Sequence, residues 1–178
     1  SEPNVRWEAA VALAKMGDLY HALGQPEMAL NRIREALLIA EQVGDRANQA
    51  ALFNSLGLAC MALSQTRRAI EAYEKVLQVD PGNGEVHLAL ADYYREINQM
   101  QKSFDQLKFA FENPNLDADT KSKILLKFSP FVETDEKVKA QYDTLCGLLV
   151  QAHPDDATAQ YFYGDLLAGK KKYTEARD

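Results

Sequence analysis

Three histidines, His21, His87 and His153, and two cysteines, Cys60 and Cys146, are the side chains best suited here to bind a metal, move a proton or attack an electrophile. Their spacing supports none of these. No Cys-x-x-Cys pair, His-Glu-x-x-His segment, phosphate-cradling glycine loop or nucleophile elbow occurs. The two cysteines lie far apart in apolar stretches, where a free thiol behaves as a small buried hydrophobe. His87 stands where a large packing residue is expected, and His153 precedes Pro154 in a turn. The acidic residues mostly alternate with lysine and arginine, as at Glu71, Glu74 and Lys75, the pattern of a solvated helix face. No catalytic, metal-binding or cofactor-binding residue is assigned, and the chain is read as non-enzymatic.

Composition points to a folded domain. Apolar residues make up 47% and charged residues 26% of 178, which argues against disorder. The formal net charge is −6, and the longest basic run is Lys170-Lys171-Lys172. No basic stripe is present to neutralise phosphates, so no nucleic-acid partner is expected. No apolar run approaches the roughly 18 residues of a membrane span, and no signal peptide is seen. The compartment stays open between cytoplasm and periplasm.

The elements that position these residues repeat. Leu13-x-x-Met16-Gly17-x-x-Tyr20 is followed by Ala29-x-x-x-Ile33-x-x-Ala36. Phe53-x-x-Leu56-Gly57-x-x-Cys60 is followed by Ala69-x-x-x-Tyr73-x-x-Val76 and Pro81. His87-x-x-Leu90-Ala91-x-x-Tyr94 is followed by Ser103-x-x-x-Leu107-x-x-Ala110, and Tyr163-Gly164-x-x-Leu167 by Ala176. Three- and four-residue apolar spacing makes each unit a pair of amphipathic helices, antiparallel across a short loop. Gly17, Gly57, Ala91 and Gly164 fall mid-way along the first helix of each pair. Ala29, Ala69, Ser103 and Ala176 are expected to face them, letting the helix axes approach closely. A glycine inside a helix costs about 1 kcal/mol against alanine, so its recurrence implies a packing reason.

These residues resemble the tetratricopeptide repeat family over nearly the whole chain. The resemblance implies an all-α fold, an α-solenoid of antiparallel helix pairs with about 4.5 repeats in a right-handed superhelix. Repeats are expected at 10–49, 50–83, 84–118, 119–156 and 157–178, the fourth degenerate and the fifth truncated. The stretch Leu90-Ala91-Asp92-Tyr93-Tyr94, with Asn115 to Lys121 and His153 to Ala157, is similar to such proteins of the Bacteroidetes.

Departures from regularity are specific. Gly17 to Gly57 spans 40 residues, whereas Gly57 to Ala91 spans 34. The excess reads as a lengthened second helix closed by Gly44. A further insertion at Glu112 to Asp117 has turn chemistry, with Asp119 as the expected helix N-cap. Pro130 takes a small-residue slot and should stop its helix near Phe128. The next helix is expected over Asp135 to Ala152. A hinge or widened pocket is one reading of Pro130; drift within a repeat array is the simpler one. Ending at Asp178 without a polar capping helix, the chain reads as a fragment with an uncapped end.

The resemblance implies a protein-binding scaffold holding a peptide or helix in a concave groove. Carrying over the groove-facing slots gives Asp18, His21, Asn54, Leu58, Met61, Glu85, Leu88, Asp92, Arg95, Lys127, Tyr161 and Asp165. The carboxylate clamp of chaperone-binding members is not matched, since Ala14, Asp18, Ser55, Glu85 and Ala89 occupy its slots. Asp18, Glu85, Asp92 and Asp165, with Glu96 in addition, outweigh Arg95 and Lys127, so a neutral or basic partner is expected. The alternatives are a structural or self-association spacer using uncapped ends, or the regulatory arm of a larger multidomain protein.

Overall fold

Proline, glycine and short polar turns set where each helix starts and stops. In the computed structural model, residues 2–44 and 46–175 are described, with side chains over 5–44 and 48–168. Ala176 and Asp178 lie outside the described residues, as do the side chains of Lys170 to Lys172. All regular structure among the described residues is helical. The elements are α1 (Glu2–Ala22), α2 (Pro26–Val43), α3 (Arg46–Ala62), α4 (Thr66–Val79), α5 (Gly84–Glu96), α6 (Met100–Glu112), α7 (Ala118–Phe128), α8 (Glu136–Ala152) and α9 (Ala157–Glu175). A short 3-10 turn, Ser129–Phe131, follows α7. Contacts divide the chain into two compact units, Ser1–Val86 and His87–Asp178.

One turn closes α1 to α2, α3 to α4 and α5 to α6. Gly24, Ser64 and Asn98 adopt left-handed backbone at φ 69°, 55° and 60°. The next residue is glutamine each time. Its amide donates back to Tyr20 O (2.9 Å), Cys60 O (2.8 Å) or Tyr94 O (2.7 Å). The left-handed residue itself donates to His21, Met61 or Arg95. This six-to-one and five-to-two pair satisfies carbonyls that a helix end would orphan. Only Gly24 enters left-handed space without strain from a Cβ. Ser64→Gly is therefore expected to stabilise the chain by about 0.5–1 kcal/mol. A higher urea midpoint at unchanged slope would show it. The lengthened α2 is likewise closed by Gly44, at φ 78°, donating to Ala40 O.

In the first unit, α2 buries Ala29, Leu30, Ile33, Ala36, Leu37 and Ala40 along one stripe, and α4 buries Ala69, Ala72, Tyr73 and Val76. The glycine slots close differently from expectation. A Cβ on Gly17 would lie 2.6 Å from Ile33 Cγ1, and one on Gly57 would overlap the Tyr73 ring. The side chains over the glycines thus stand one turn beyond Ala29 and Ala69. The Ala29 carbonyl follows at 3.4 Å from the carbon added at Gly17. On the far side of α1, Val5, Ala9, Ala12, Met16, Leu19 and Leu23 recur at alternating four- and three-residue steps and are all exposed, Leu19 by 60%.

In the second unit, Phe111, Leu125, Tyr142, Leu145, Cys146, Leu149 and Phe162 form the core. At the Ala91 slot the buried Ser103 hydroxyl donates to Ala91 O at 2.7 Å. His87 is buried, stacked on Phe109 at 5.0 Å, with Nδ1 2.7 Å from Gln106 Oε1. The N-cap of α7 is Asp117, not Asp119. Its carboxylate accepts from Thr120 N at 2.7 Å and from the Thr120 hydroxyl at 2.8 Å, holding its pKa below the ordinary range. Asp119, two residues on, pairs with Lys123 at 2.6 Å. At the other end, α7 stops at Phe128, and Pro130 sits in the 3-10 turn.

Lys121 carries an unexpected tie. Its side chain is fully buried. Nζ donates to Asn113 O (2.6 Å) and lies 2.9 Å from His153 Nε2, which is itself 2.9 Å from Leu116 O. The 113–117 loop is thereby joined to the C-cap residue of α8. Desolvation is the main force holding the Lys121 pKa down to about 8, with Asp117 opposing.

Candidate functional site

The second unit contains an open groove of about 730 Å³, in the size range of ligand pockets. Its floor comes from α5 (Leu88, Ala91), α6 (Met100, Ser103, Phe104, Leu107) and α7 (Ile124, Phe128), with Phe131 from the 3-10 turn and Val138 from α8. Phe104, Leu107, Ile124 and Phe128 also pack against the core, so the floor is anchored rather than loose. The groove lies where Pro130 ends α7 early and the 3-10 turn holds Phe131, 57% exposed, beside it.

Charges stand around this apolar floor. Arg95 and Asp92 pair at 2.6 Å. Lys123 is drawn to Asp119, whose hydrogen bond raises its pKa. Asp135 caps α8, accepting from Lys137 N (2.8 Å) and Val138 N (3.2 Å). Lys127 and the Lys137 ammonium form no ion pair among the described residues. The expectation of an acidic groove therefore does not describe this one. Of the acidic candidates only Asp92 lines it, and Arg95 already neutralises that carboxylate.

Four of the twelve carried-over positions, Leu88, Asp92, Arg95 and Lys127, share this groove. Tyr161 and Asp165 are exposed on α9 outside it. Asp18, His21, Asn54, Leu58, Met61 and Glu85 belong to the first unit. There Asp18 accepts from the Ser55 hydroxyl at 2.8 Å, joining α1 to α3. His21, Asn54 and Met61 are half-buried, whereas Leu58 and Glu85 are exposed. The lining from α6 and α8 was absent from the expected set. Only Pro130 signalled it.

A smaller pocket of about 260 Å³ in the first unit is lined by Arg34, Phe53, Leu56, Cys60, Arg68, Glu71, Ala72 and Lys75. Cys60 is buried, and burial raises its pKa despite Arg34 and Arg68, so it is a poor nucleophile. Among the described residues no cluster of three or more His, Cys, Asp or Glu could hold a metal, and no helix is long and apolar enough to cross a membrane.

Tetratricopeptide repeat models match residues 8–82 and 148–178, together more than half of the chain. The chain belongs to the tetratricopeptide repeat proteins, and its fold is the α-solenoid class of paired helices. It is similar to a solved structure of Pseudomonas aeruginosa PilF, with a TM-score of 0.60 and 22% identity over 97% of this chain and 73% of that one. It is also similar to the crystal structure of MamA, with a TM-score of 0.53 and 14% identity over 93% and 81%. At these identities the likeness concerns the fold. It lends no support to a Bacteroidetes origin. Tetratricopeptide repeats are protein-interaction scaffolds, which is the class of function to which this chain belongs.

Proposed function

We propose that this chain is a binding module that holds a segment of a partner protein in the groove of its second unit. The observation that carries the reading is an anchored apolar floor left open and ringed by charged side chains, the anatomy of an interface centre and rim. A photo-cross-linking residue at Ile124 should capture a protein partner in native extract, while the same residue at the exposed Gln151 should not. Equal labelling at both positions would sink the proposal. A carboxylate-clamp role is not proposed, because the five slots offer no cation.

A second reading is favoured by the exposed α1 stripe. Alternating four- and three-residue steps are the seam of a helix that pairs with another helix. Self-association through this face would appear in sedimentation velocity as a concentration-dependent shift. Leu19→Glu should abolish the shift, and a concentration-independent monomer would dismiss the reading.

A further inference from the structure

We infer that the occupant of the second-unit groove is an amphipathic helix whose apolar stripe is flanked by acidic residues, a reading that rests on the groove being the binding site proposed above. Two observations carry it.

The first concerns the occupant's backbone. An extended peptide exposes an N–H and a C=O at every residue, and each one buried without a partner costs about 1–3 kcal/mol. The groove offers few partners. The Ser103 hydroxyl already donates to Ala91 O and that of Thr120 to Asp117, Asp135 is engaged as a helix cap, and Gln141 is the one side-chain amide on the lining, too few groups for the row of N–H and C=O of an extended peptide. No strand edge is present among the described residues to supply a ladder. A helix satisfies its own backbone and needs only an apolar floor, which Leu88, Phe104, Leu107, Ile124 and Phe128 provide.

The second is charge. The chain as a whole is at −6, yet four basic side chains, Arg95, Lys123, Lys127 and Lys137, line this groove against two acidic ones, Asp92 and Asp135. Asp92 is paired with Arg95, and Asp135 is bonded to the α8 N-terminus. Lys127 and Lys137 form no ion pair among the described residues and are the lining cations left for whatever binds. Carboxylates flanking the occupant's stripe would meet them, and ammonium groups there would be repelled.

Three synthetic peptides of about 18 residues, five helical turns, test this. The first carries leucine at three- and four-residue spacing with glutamate flanks. The second replaces glutamate with lysine. The third is the first with two central prolines, which forbid the helix. Binding to the full chain is read by fluorescence anisotropy, with circular dichroism confirming that each protein variant is folded. The glutamate peptide should bind about tenfold tighter than the lysine peptide, an advantage that shrinks with salt. The order should reverse in K127E/K137E, the proline peptide should lose binding, and Ile124→Glu should remove binding of both helical peptides. Equal or tighter binding of the lysine or proline peptide overturns the inference and leaves the groove as the site. Binding of the glutamate peptide that survives Ile124→Glu overturns both. Failure of all three peptides to bind, with cross-linking at Ile124 intact, overturns the inference alone.

Discussion

Gly57→Ala is expected to destabilise the chain by about 1–3 kcal/mol, although alanine is the better helix former by about 1 kcal/mol. The new methyl would overlap Tyr73, a fully buried ring. An aromatic ring cannot bend away, so either α3 must shift from α4 or the ring must leave its rotamer. Gly17→Ala should cost less, because the atom it meets belongs to the aliphatic Ile33. Gly147→Ala on α8, with no described atom within 4 Å of the added carbon, should instead gain about 0.5–1 kcal/mol. Urea unfolding followed by circular dichroism distinguishes the three. If Gly57→Ala matched Gly147→Ala, the close approach of α3 and α4 would be wrong.

Lys121→Met is expected to change how stability depends on alkaline pH. The folded pKa of Lys121 is about 8 against 10.5 for the free side chain. Between these values the unfolded chain binds a proton that the folded chain does not, so stability rises with pH. Below about pH 8 both states are protonated, and the cost of burying the charge is fully present. The whole interval corresponds to about 3 kcal/mol. Relaxation and water entry reduce such figures, so a rise on the order of 1–2 kcal/mol is expected. Above about pH 9 an opposing effect begins, because burial raises the pKa of Cys60 and the unfolded thiol ionises first. Above about pH 10 the tyrosines add to it: burial raises the pKa of Tyr73 to about 12 and that of Tyr142 further, so stability falls. The wild type should therefore be most stable at about pH 9–10, whereas Lys121→Met should lack the rise and keep the fall. Parallel profiles for the two proteins would show that the Lys121 ammonium is hydrated and keeps its ordinary pKa in the folded chain.

The fold was legible because its signals are local. Gly44 closes α2, and α7 ends at Phe128, as glycine and proline dictate through their own backbone limits. Asp119 was the expected N-cap, but Asp117 carries the same side chain two residues earlier and takes the role, because the loop releases the chain there. The Lys121 tie was invisible, since a lysine on a helix ordinarily reads as solvated and its partners lie 8 and 32 residues away. For the candidate groove, slot-by-slot inheritance gave four of its lining residues, Leu88, Asp92, Arg95 and Lys127, because first helices keep their register. It missed Met100, Phe104, Leu107 and Val138. Periodicity tells which residues are apolar, not whether a neighbouring helix arrives to cover them. That depends on the length of α7, and hence on Pro130.

The turns at Gly24, Ser64 and Asn98 have a consequence for how the chain folds. Each joins two helices that meet residues close to them in sequence, so closing a hairpin sacrifices little loop entropy. Contacts within each hairpin are local, which favours rapid closure of the individual hairpins. Since a repeat array rests on nearest-neighbour interfaces, folding can start at any hairpin and spread to the next. Unfolding then runs the other way, with an outer hairpin opening while inner ones stand. Native-state hydrogen exchange would reveal this as a graded series of protection rather than one cooperative value.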